Sequence, residues 1–329
     1  MSISTVEKTT SSIPSPAAPL NPVKRNRLQE RAGDRLFRYT MMMFAGIIVA
    51  LALAMAIVLS YESRFAWKEF GLKFLWTSTW DPVEEIYGAL PYIYGTIVSS
   101  LLALLISVPL GLGAAIFLAE MAPKKISNAL IFLIELLAAV PSVIIGLMGI
   151  FVLVPAVAYV QPFFIKYLGF MPFFSGQPYG IGMFSAGLVL AIMILPYITS
   201  ISRDVLLSVP THLKEASYGL GATRWETIKM VCLPFAKSGI FGAIFLALGR
   251  SLGETMAVTM VIGNVHKISL SLFDPGYSMA AVIANEFAEA TSDMYVHALI
   301  AIGLSLFGIT IVINGLARYM IYKMGKTAK

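Results

Sequence analysis

One arginine, Arg250, lies inside a long apolar stretch, in the run GRSLGET at residues 249–255. An arginine at the centre of a membrane helix costs about 2.5–3.5 kcal/mol, so it requires a partner or a water-filled cavity. Its guanidinium is a planar fork of donors that suits tetrahedral oxyanions and stays charged at physiological pH. The sequence therefore predicts an anion-binding station on a path across the membrane. Its residues are Arg250, Glu254, Ser251 and Thr255.

Glu254 follows Arg250 by four residues and, on a continuous helix, would share a face with it and be able to pair with it. The sequence does not determine whether the two residues are in contact in the resting state. This spacing predicts a gate, in which Arg250 holds Glu254 until an arriving anion displaces the carboxylate. The alternative is an ion pair that only orients two helices. Gly249 and Gly253, spaced as small-xxx-small, would let a neighbouring helix approach closely beside that face.

A polar stretch, residues 210–234, separates two very apolar ones and predicts two short helices. Thr211 is placed to cap the first helix, and Gly219 and Gly221 are placed to end it. In the second helix, Thr223 and the glutamate three residues later have the spacing of a capping box. We expect this second helix to end at the proline at position 234, where the next membrane segment begins.

Composition indicates a helical membrane protein with several spans. Of the 329 residues, 58% are hydrophobic and only 13% are charged, and the mean hydropathy is +0.80. The apolar segments are long and continuous, which argues against a β-barrel. The net charge of +6 comes from basic residues beside hydrophobic segments, so it does not indicate a nucleic-acid partner. One cysteine and three scattered histidines give no spacing for a disulfide framework or a metal site.

The hydrophobic pattern predicts an all-α fold with six transmembrane helices. We expect a disordered and basic tail over residues 1–39 and an anchor helix over 40–60, followed by a loop over 61–91. A core over 92–322 contains the other five spans and two long loops, 203–236 and 263–294, before a tail at 323–329. The predicted core spans are 92–119, 127–158, 179–202, 237–262 and 295–322, with prolines 109, 141 and 196 inside three of them.

The distribution of lysine and arginine predicts the orientation. With both termini cytoplasmic, 18 basic residues lie on the inner side and 5 on the outer side. This places the polar stretch 210–234 in the cytoplasm. Of the acidic residues near the membrane, Glu120 is expected to be solvated at a boundary. Glu135 serves either packing or the path, and the sequence does not separate these two roles.

The chain lacks a convincing ATP-binding motif. A P-loop requires GxxxxGK[ST] after a strand, and the nearest match, Gly325-Lys326-Thr327, has Met320 at the first glycine position. We therefore expect a non-catalytic subunit with no bound cofactor, whose energy comes from another protein.

The polar stretch resembles the cytoplasmic loop of ABC importer permeases, EAA, three residues, G, nine residues, IxLP. Glu215-Ala216-Ser217, Gly221 and the run VCLP at 231–234 match this signature, with serine and valine as conservative departures. The resemblance implies that the helix at 211–222 is a coupling helix that docks in a separate ATPase. The residues it assigns to this contact are His212, Lys214, Glu215, Ala216, Ser217, Tyr218 and Gly221.

Four other segments resemble the permease subunits of phosphate-specific importers, the PstC family. They are residues 88–96, 135–142, 202–205 and 249–264, which lie in collinear order within residues 70 to 320. The resemblance implies the type I importer fold (MetI-like), with both termini in the cytoplasm. It also implies that Arg250 and Glu254 act in phosphate passage, in a bacterial or archaeal plasma (inner) membrane.

The partners follow from the same resemblance. They are a PstA-like permease that completes a heterodimer, two PstB-like ATPase subunits that bind ATP and Mg, and an external PstS-like phosphate-binding protein. The alternatives are a permease for another oxyanion, such as molybdate or sulfate, or the paralogous PstA-type subunit. From other classes, a passive channel would conduct without nucleotide, and an intramembrane enzyme would need a nucleophile–base pair or metal cluster, for which the predicted spans give no sequence pattern. A regulatory scaffold that does not transport is distinguished by uptake assays in reconstituted vesicles.

Overall fold

The structure, a computed structural model, describes residues 27–326. Residues 1–26 and 327–329, which carry most of the predicted disordered tail and the end of the predicted C-terminal tail, lie outside the described residues. In the described part the α-helices are α1 (Arg27–Glu62), α2 (Arg64–Phe70), α3 (Leu90–Ile116), α4 (Lys124–Ala138), α5 (Ser142–Met148), α6 (Val154–Leu168), α7 (Met183–Leu207), α8 (Thr211–Gly219), α9 (Arg224–Thr227), α10 (Leu233–Leu252), α11 (Met256–Ile262), α12 (Met279–Glu286) and α13 (Asp293–Lys326).

Within the described residues, six helical segments are long and apolar enough to cross a membrane, which confirms the predicted number. They are Asp34–Glu62, Leu90–Met121, Ser142–Leu168, Met183–Leu207, Arg224–Leu252 and Asp293–Lys323. The first helix, α1, already begins at Arg27. The basic part of the predicted tail is therefore helical from Arg27 onward.

The third span differs from the prediction of 127–158. Helix α4 ends at Ala138, and a new helix begins at Ser142 and continues, through a π turn over Gly149–Leu153, to Leu168. Pro141 accounts for the break, because proline disfavours helical geometry in the residue before it and is well placed at a helix start. Residues 159–168, predicted as loop, are consequently helical.

The fifth span is displaced at both ends. It begins at Arg224, because α9 passes through a π turn over Ile228–Cys232 directly into α10. Pro234 therefore does not end the second loop helix. In a regular α-helix the ring of Pro234 would clash with the backbone carbonyl four residues earlier, at Met230. The π turn, which is wider than an α-helical turn, includes this residue. Near residue 253 the span is broken, since α10 ends at Leu252 and α11 starts at Met256.

Helices α3 and α7 pack closely along each other in the core. A side chain at Gly111 would meet Ile198 at 2.9 Å, and one at Gly187 would meet Leu102 at 2.5 Å. Small residues of this kind allow two membrane helices to approach. Prolines 109 and 196 lie inside α3 and α7 without ending either helix. The glycine-rich part of the second span therefore serves close packing, and this helix is not broken.

The chain forms two compact units that divide after Ala54. The described part of the first unit is the larger portion of α1, and the second unit contains the other helices. In the second unit, α7 is about 37 Å long at ~1.5 Å per residue. The start of α7 contacts the segment 263–295, against which residues 64–92 pack, and we name these two segments the α12 end. Residues 117–127 and 203–232 lie at the other end of α7, and we name them the α8 end.

Candidate functional site

Arg250 lies in the last turn of α10, beside the middle of α7. Its guanidinium carbon is 4.9 Å from the centre of the Tyr197 ring. Tyr197 is roughly 15–21 Å from either end of α7, which places the charge near mid-depth of the bundle. The arginine side chain is exposed on the surface of this chain. The predicted depth of Arg250 therefore agrees with the structure, and the side chain is accessible.

The predicted pair between Arg250 and Glu254 is not formed. Because α10 ends at Leu252, Glu254 lies in the turn that leads to α11 and does not continue the helical face of Arg250. Among the described side chains, no ion pair or hydrogen bond joins the two groups. The shared helical face expected from the i,i+4 spacing is lost because Gly253, a weak helix former, lies at the C-cap position where α10 stops.

The neighbouring hydroxyl groups are mostly engaged locally. Ser251 is buried, and its hydroxyl donates to the Leu248 carbonyl at 2.9 Å. The hydroxyl of Thr255 has a longer contact of 3.4 Å with the Gly253 carbonyl and is only partly covered. Of the two residues predicted beside Arg250, Thr255 is thus the better placed to meet a ligand.

Among the described residues, the glycines around Arg250 make no tight contact with another helix. A side chain at Gly249 would reach Asn314 of α13 at an ordinary contact distance of 3.8 Å, and one at Gly253 would meet its own backbone at 3.9 Å. The predicted close helix approach at these positions is therefore not made within the described part of the chain. The face of α10 that carries Arg250 is open.

Arg250 keeps its donors available. Contact with an aromatic face stabilises a guanidinium by about 0.5–2 kcal/mol without using its N–H groups. In the described part of the chain, the ring of Tyr197 is its one recorded partner. A fixed cation with five free donors can bind the oxygens of an anion such as phosphate or sulfate.

The predicted coupling helix corresponds to α8, Thr211–Gly219. Thr211 makes no capping bond, since Pro210 occupies the N-cap position and Thr211 is the first helical residue. The chain turns at Gly221, whose φ of +85° favours glycine. The predicted residues that are exposed are His212, Glu215, Ala216, Tyr218 and Gly221.

Two predicted coupling residues instead face their own chain. Lys214 Nζ lies 2.6 Å from Glu120 Oε1, and the side chains are 16% and 10% exposed. Ser217 Oγ lies 3.0 Å from Thr227 Oγ1. The prediction that Glu120 is solvated is wrong, because the lysine from α8 covers it. Glu135, on α4, is exposed.

The capping box of the second loop helix is confirmed. The Thr223 backbone N–H donates to Glu226 Oε2 at 2.7 Å, and the Glu226 backbone N–H donates to Thr223 Oγ1 at 3.3 Å. Just before this helix, Leu220 is 90% exposed. Trp225 follows at 60% exposed. The α8 end thus exposes two large apolar side chains on a polar loop.

The α12 end contains a buried carboxylate that sequence reasoning missed. Glu286 Oε2 accepts hydrogen bonds from Trp80 Nε1 at 3.0 Å and from the Tyr295 hydroxyl at 2.7 Å. Its other oxygen, Oε1, lies 3.4 Å from His266 Nε2. The signal in the sequence was a glutamate inside the otherwise apolar run MAAVIANE, but its partners are far away along the chain.

Burial disfavours protonation of His266, the histidine in this network. Its Nδ1 is 2.7 Å from the Tyr92 hydroxyl. Burial lowers the pKa of His266, and the nearby Glu286 carboxylate opposes this shift without cancelling it. Burial also raises the pKa of Tyr277 to about 12, although its hydrogen bond from Asn285 acts in the opposite direction. Neutral groups therefore surround one carboxylate.

This chain is similar to known membrane components of transport systems. The family model described as "Binding-protein-dependent transport system inner membrane component" matches residues 107–326. A protein of Mesorhizobium japonicum, "Phosphate transport system permease protein PstC", is 48% identical over 88% of this chain and 90% of its own length. A protein of the same name from Pasteurella multocida is 47% identical over 92% of this chain and 95% of its own length.

Solved structures show the same fold at low sequence identity. A bacterial ABC transporter involved in the import of the acidic polysaccharide alginate is similar with a TM-score of 0.61 at 17% identity, over 91% of this chain and 99% of that one. The same kind of transporter, in complex with an alginate pentasaccharide-bound periplasmic protein, has a TM-score of 0.58 at 18% identity, with 90% and 97% covered. The MetNI methionine transporter has a TM-score of 0.55 at 17% identity, with 75% and 99% covered.

Proposed function

The chain belongs to the PstC family of phosphate transport system permease proteins, and on this premise we propose that it forms half of the translocation path of an ATP-driven phosphate importer. The observation that carries the proposal is the exposed Arg250 guanidinium near mid-depth, held by the Tyr197 ring with its donors free. A permanent cation at that depth is costly unless an anion or a second subunit meets it.

The chain is a multi-pass inner membrane component. We infer that both termini are cytoplasmic, because, with the spans that the sequence predicts, 18 basic residues lie on that side and 5 on the other. This orientation places the α8 end in the cytoplasm and the α12 end outside. The outer segments 61–91 and 263–293 then receive a loaded phosphate-binding protein of the PstS type.

Arg250 is the anion station in this proposal. Because its face of α10 is open in the single chain, a PstA-like permease completes the path opposite it. Glu254 competes with phosphate from the turn between α10 and α11, approaching the guanidinium when this turn moves. Such a carboxylate favours release, since a bare cation would retain a dianion. Thr255 adds a hydroxyl at the same turn, and Ser251 supports α10 from inside.

Energy enters at the α8 end. The exposed side of α8, with His212, Glu215, Ala216 and Tyr218, docks in one of two PstB-like ATPase subunits, which bind ATP and Mg. Closure of the ATPases displaces α8 and exposes the Arg250 station to each side in turn. The chain itself is a non-catalytic subunit.

The test is phosphate uptake by the reconstituted four-protein importer with loaded binding protein at saturation. Arg250→Gln should reduce the initial uptake rate roughly 100-fold, because two charge-assisted hydrogen bonds of about 1.5 kcal/mol each are lost. The matched control is Arg318→Gln, which removes the same charge from an exposed position on α13 and should leave uptake within about twofold.

Equal uptake by the Arg250→Gln variant and wild type, in complexes that assemble equally, would remove Arg250 from the mechanism. Competition by sulfate and molybdate, carried out with the whole importer, distinguishes phosphate transport from transport of another oxyanion. Phosphate uptake that both anions suppress at equal concentration would contradict the phosphate assignment.

A further inference from the structure

A buried ion pair joins α8 to the end of the second span. Lys214 Nζ and Glu120 Oε1 are 2.6 Å apart, and both side chains are largely covered, at 16% and 10% exposed. Glu120 belongs to the π turn Phe117–Met121, which extends α3, and Lys214 is in the middle of α8. The two residues are 94 positions apart. A tertiary contact, and not the chain between them, therefore holds these two elements together.

A second polar contact fastens the same side of α8. Ser217 Oγ lies 3.0 Å from Thr227 Oγ1, and Thr227 is buried in the helix that becomes the fifth span. Lys214 and Ser217 are three residues apart, so they lie on one face of α8. The opposite side, with His212 and Glu215, is exposed. Helix α8 is thus attached to two membrane spans by one face and free on the other.

The ion pair is suited to transmit displacement. Separation of a buried pair leaves an uncompensated charge, which is far more costly than the loss of an exposed pair. A movement of α8 therefore carries Glu120 and the end of α3 with it. Helix α3 is packed so tightly on α7 that a side chain at Gly111 would meet Ile198 at 2.9 Å. Ile198 adjoins Tyr197, whose ring holds Arg250.

We propose that Lys214 and Glu120 are positioning residues that transmit the displacement of α8 to the second span and, through α7, to the Arg250 station. The inference rests on the proposed function, in which α8 receives the motion of the ATPase. It gives Lys214 a role inside the permease, whereas the loop motif alone assigns it to the ATPase contact. The ATPase then meets only the other face of α8.

The experiment measures phosphate transported per ATP hydrolysed in the whole reconstituted importer. Lys214→Met and Glu120→Gln should each lower this ratio roughly fivefold or more, while the ATPase still co-purifies. The exchanged pair, Lys214→Glu with Glu120→Lys, should restore the ratio to within about twofold of wild type. Lys229→Met, which neutralises an exposed lysine of the α8 end, is the matched control and should leave the ratio unchanged.

Rescue by the exchanged pair is the deciding observation, since a generally destabilised chain would not regain coupling from it. The inference fails if either single variant transports as much phosphate per ATP as the Lys229→Met control. It also fails if the exchanged pair assembles but stays uncoupled. In both cases Arg250→Gln would still reduce uptake roughly 100-fold, so the proposed function would stand. Lack of uptake by the wild-type importer would instead overturn the proposed function.

Discussion

Arg250 and Glu286 are charged residues of the same chain with opposite surroundings. Glu286 is 7% exposed, and its two oxygens face an indole N–H, a phenol hydroxyl and an imidazole. Arg250 is exposed, with an aromatic ring as its one recorded contact among the described residues. Both residues interrupt apolar sequence, so hydropathy alone treats them alike.

This difference in surroundings indicates which charged residue stabilises the fold and which is available to a ligand. A buried charge whose hydrogen-bonding capacity is filled has little left for a ligand, and removing it leaves its partners unsatisfied. A guanidinium that contacts an aromatic ring through its planar face keeps its N–H donors for an anion. We therefore expect Glu286 to matter for stability and Arg250 for transport, and the following predictions test that division.

The largest effect on stability is expected at Glu286. Glu286→Ala leaves the Trp80 and Tyr295 donors without an acceptor, and each unsatisfied buried group costs about 1–3 kcal/mol. The free energy of unfolding in detergent should fall by about 3 kcal/mol. Glu289→Ala, an exposed glutamate on the next turn, should change it by less than about 0.5 kcal/mol. Equal stability of the two variants would contradict the proposed role of Glu286 in stability.

A smaller effect is expected at Tyr197. Tyr197→Leu removes the ring that holds the guanidinium, and the maximal uptake rate should fall roughly fivefold for a contact of about 1 kcal/mol. Tyr197→Phe keeps the ring and should transport within about twofold of wild type. Stability should change little in Tyr197→Phe. A loss of uptake by Tyr197→Phe as large as by Tyr197→Leu would show that the hydroxyl, and not the ring face, is required.

The smallest effect is a pH dependence at the α12 end. The pKa of His266 is lowered in the folded protein, so protonation favours the unfolded state. Its contribution to stability is complete above the ordinary histidine pKa of about 6.5 and is lost as pH falls through the lower folded value. The thermal midpoint of wild type should therefore fall more between pH 7.5 and pH 5 than that of His266→Gln. Identical shifts would assign the acid sensitivity to other groups.

Local signals in the sequence were sufficient for much of the fold. Long apolar runs predicted six spans, and the spacing of Thr223 and Glu226 predicted a capping box that is formed as expected. Both depend on residues within a few turns of one another. The same reasoning failed at Gly253, where hydropathy predicted a continuous helix and the backbone turns. Hydropathy averages over a window and does not register where a helix stops.

The sequence by itself determined the family, the membrane helices and the position of the unusual cation, because each of these depends on composition or on short spacing. The tertiary structure alone decided which charges are satisfied. Lys214 meets Glu120 across 94 positions, and Trp80 meets Glu286 across 206. Such partners are chosen by how the helices pack. Packing left Arg250 open and covered Lys214, Glu120 and Glu286, and this distinction is the physical basis of the proposed site.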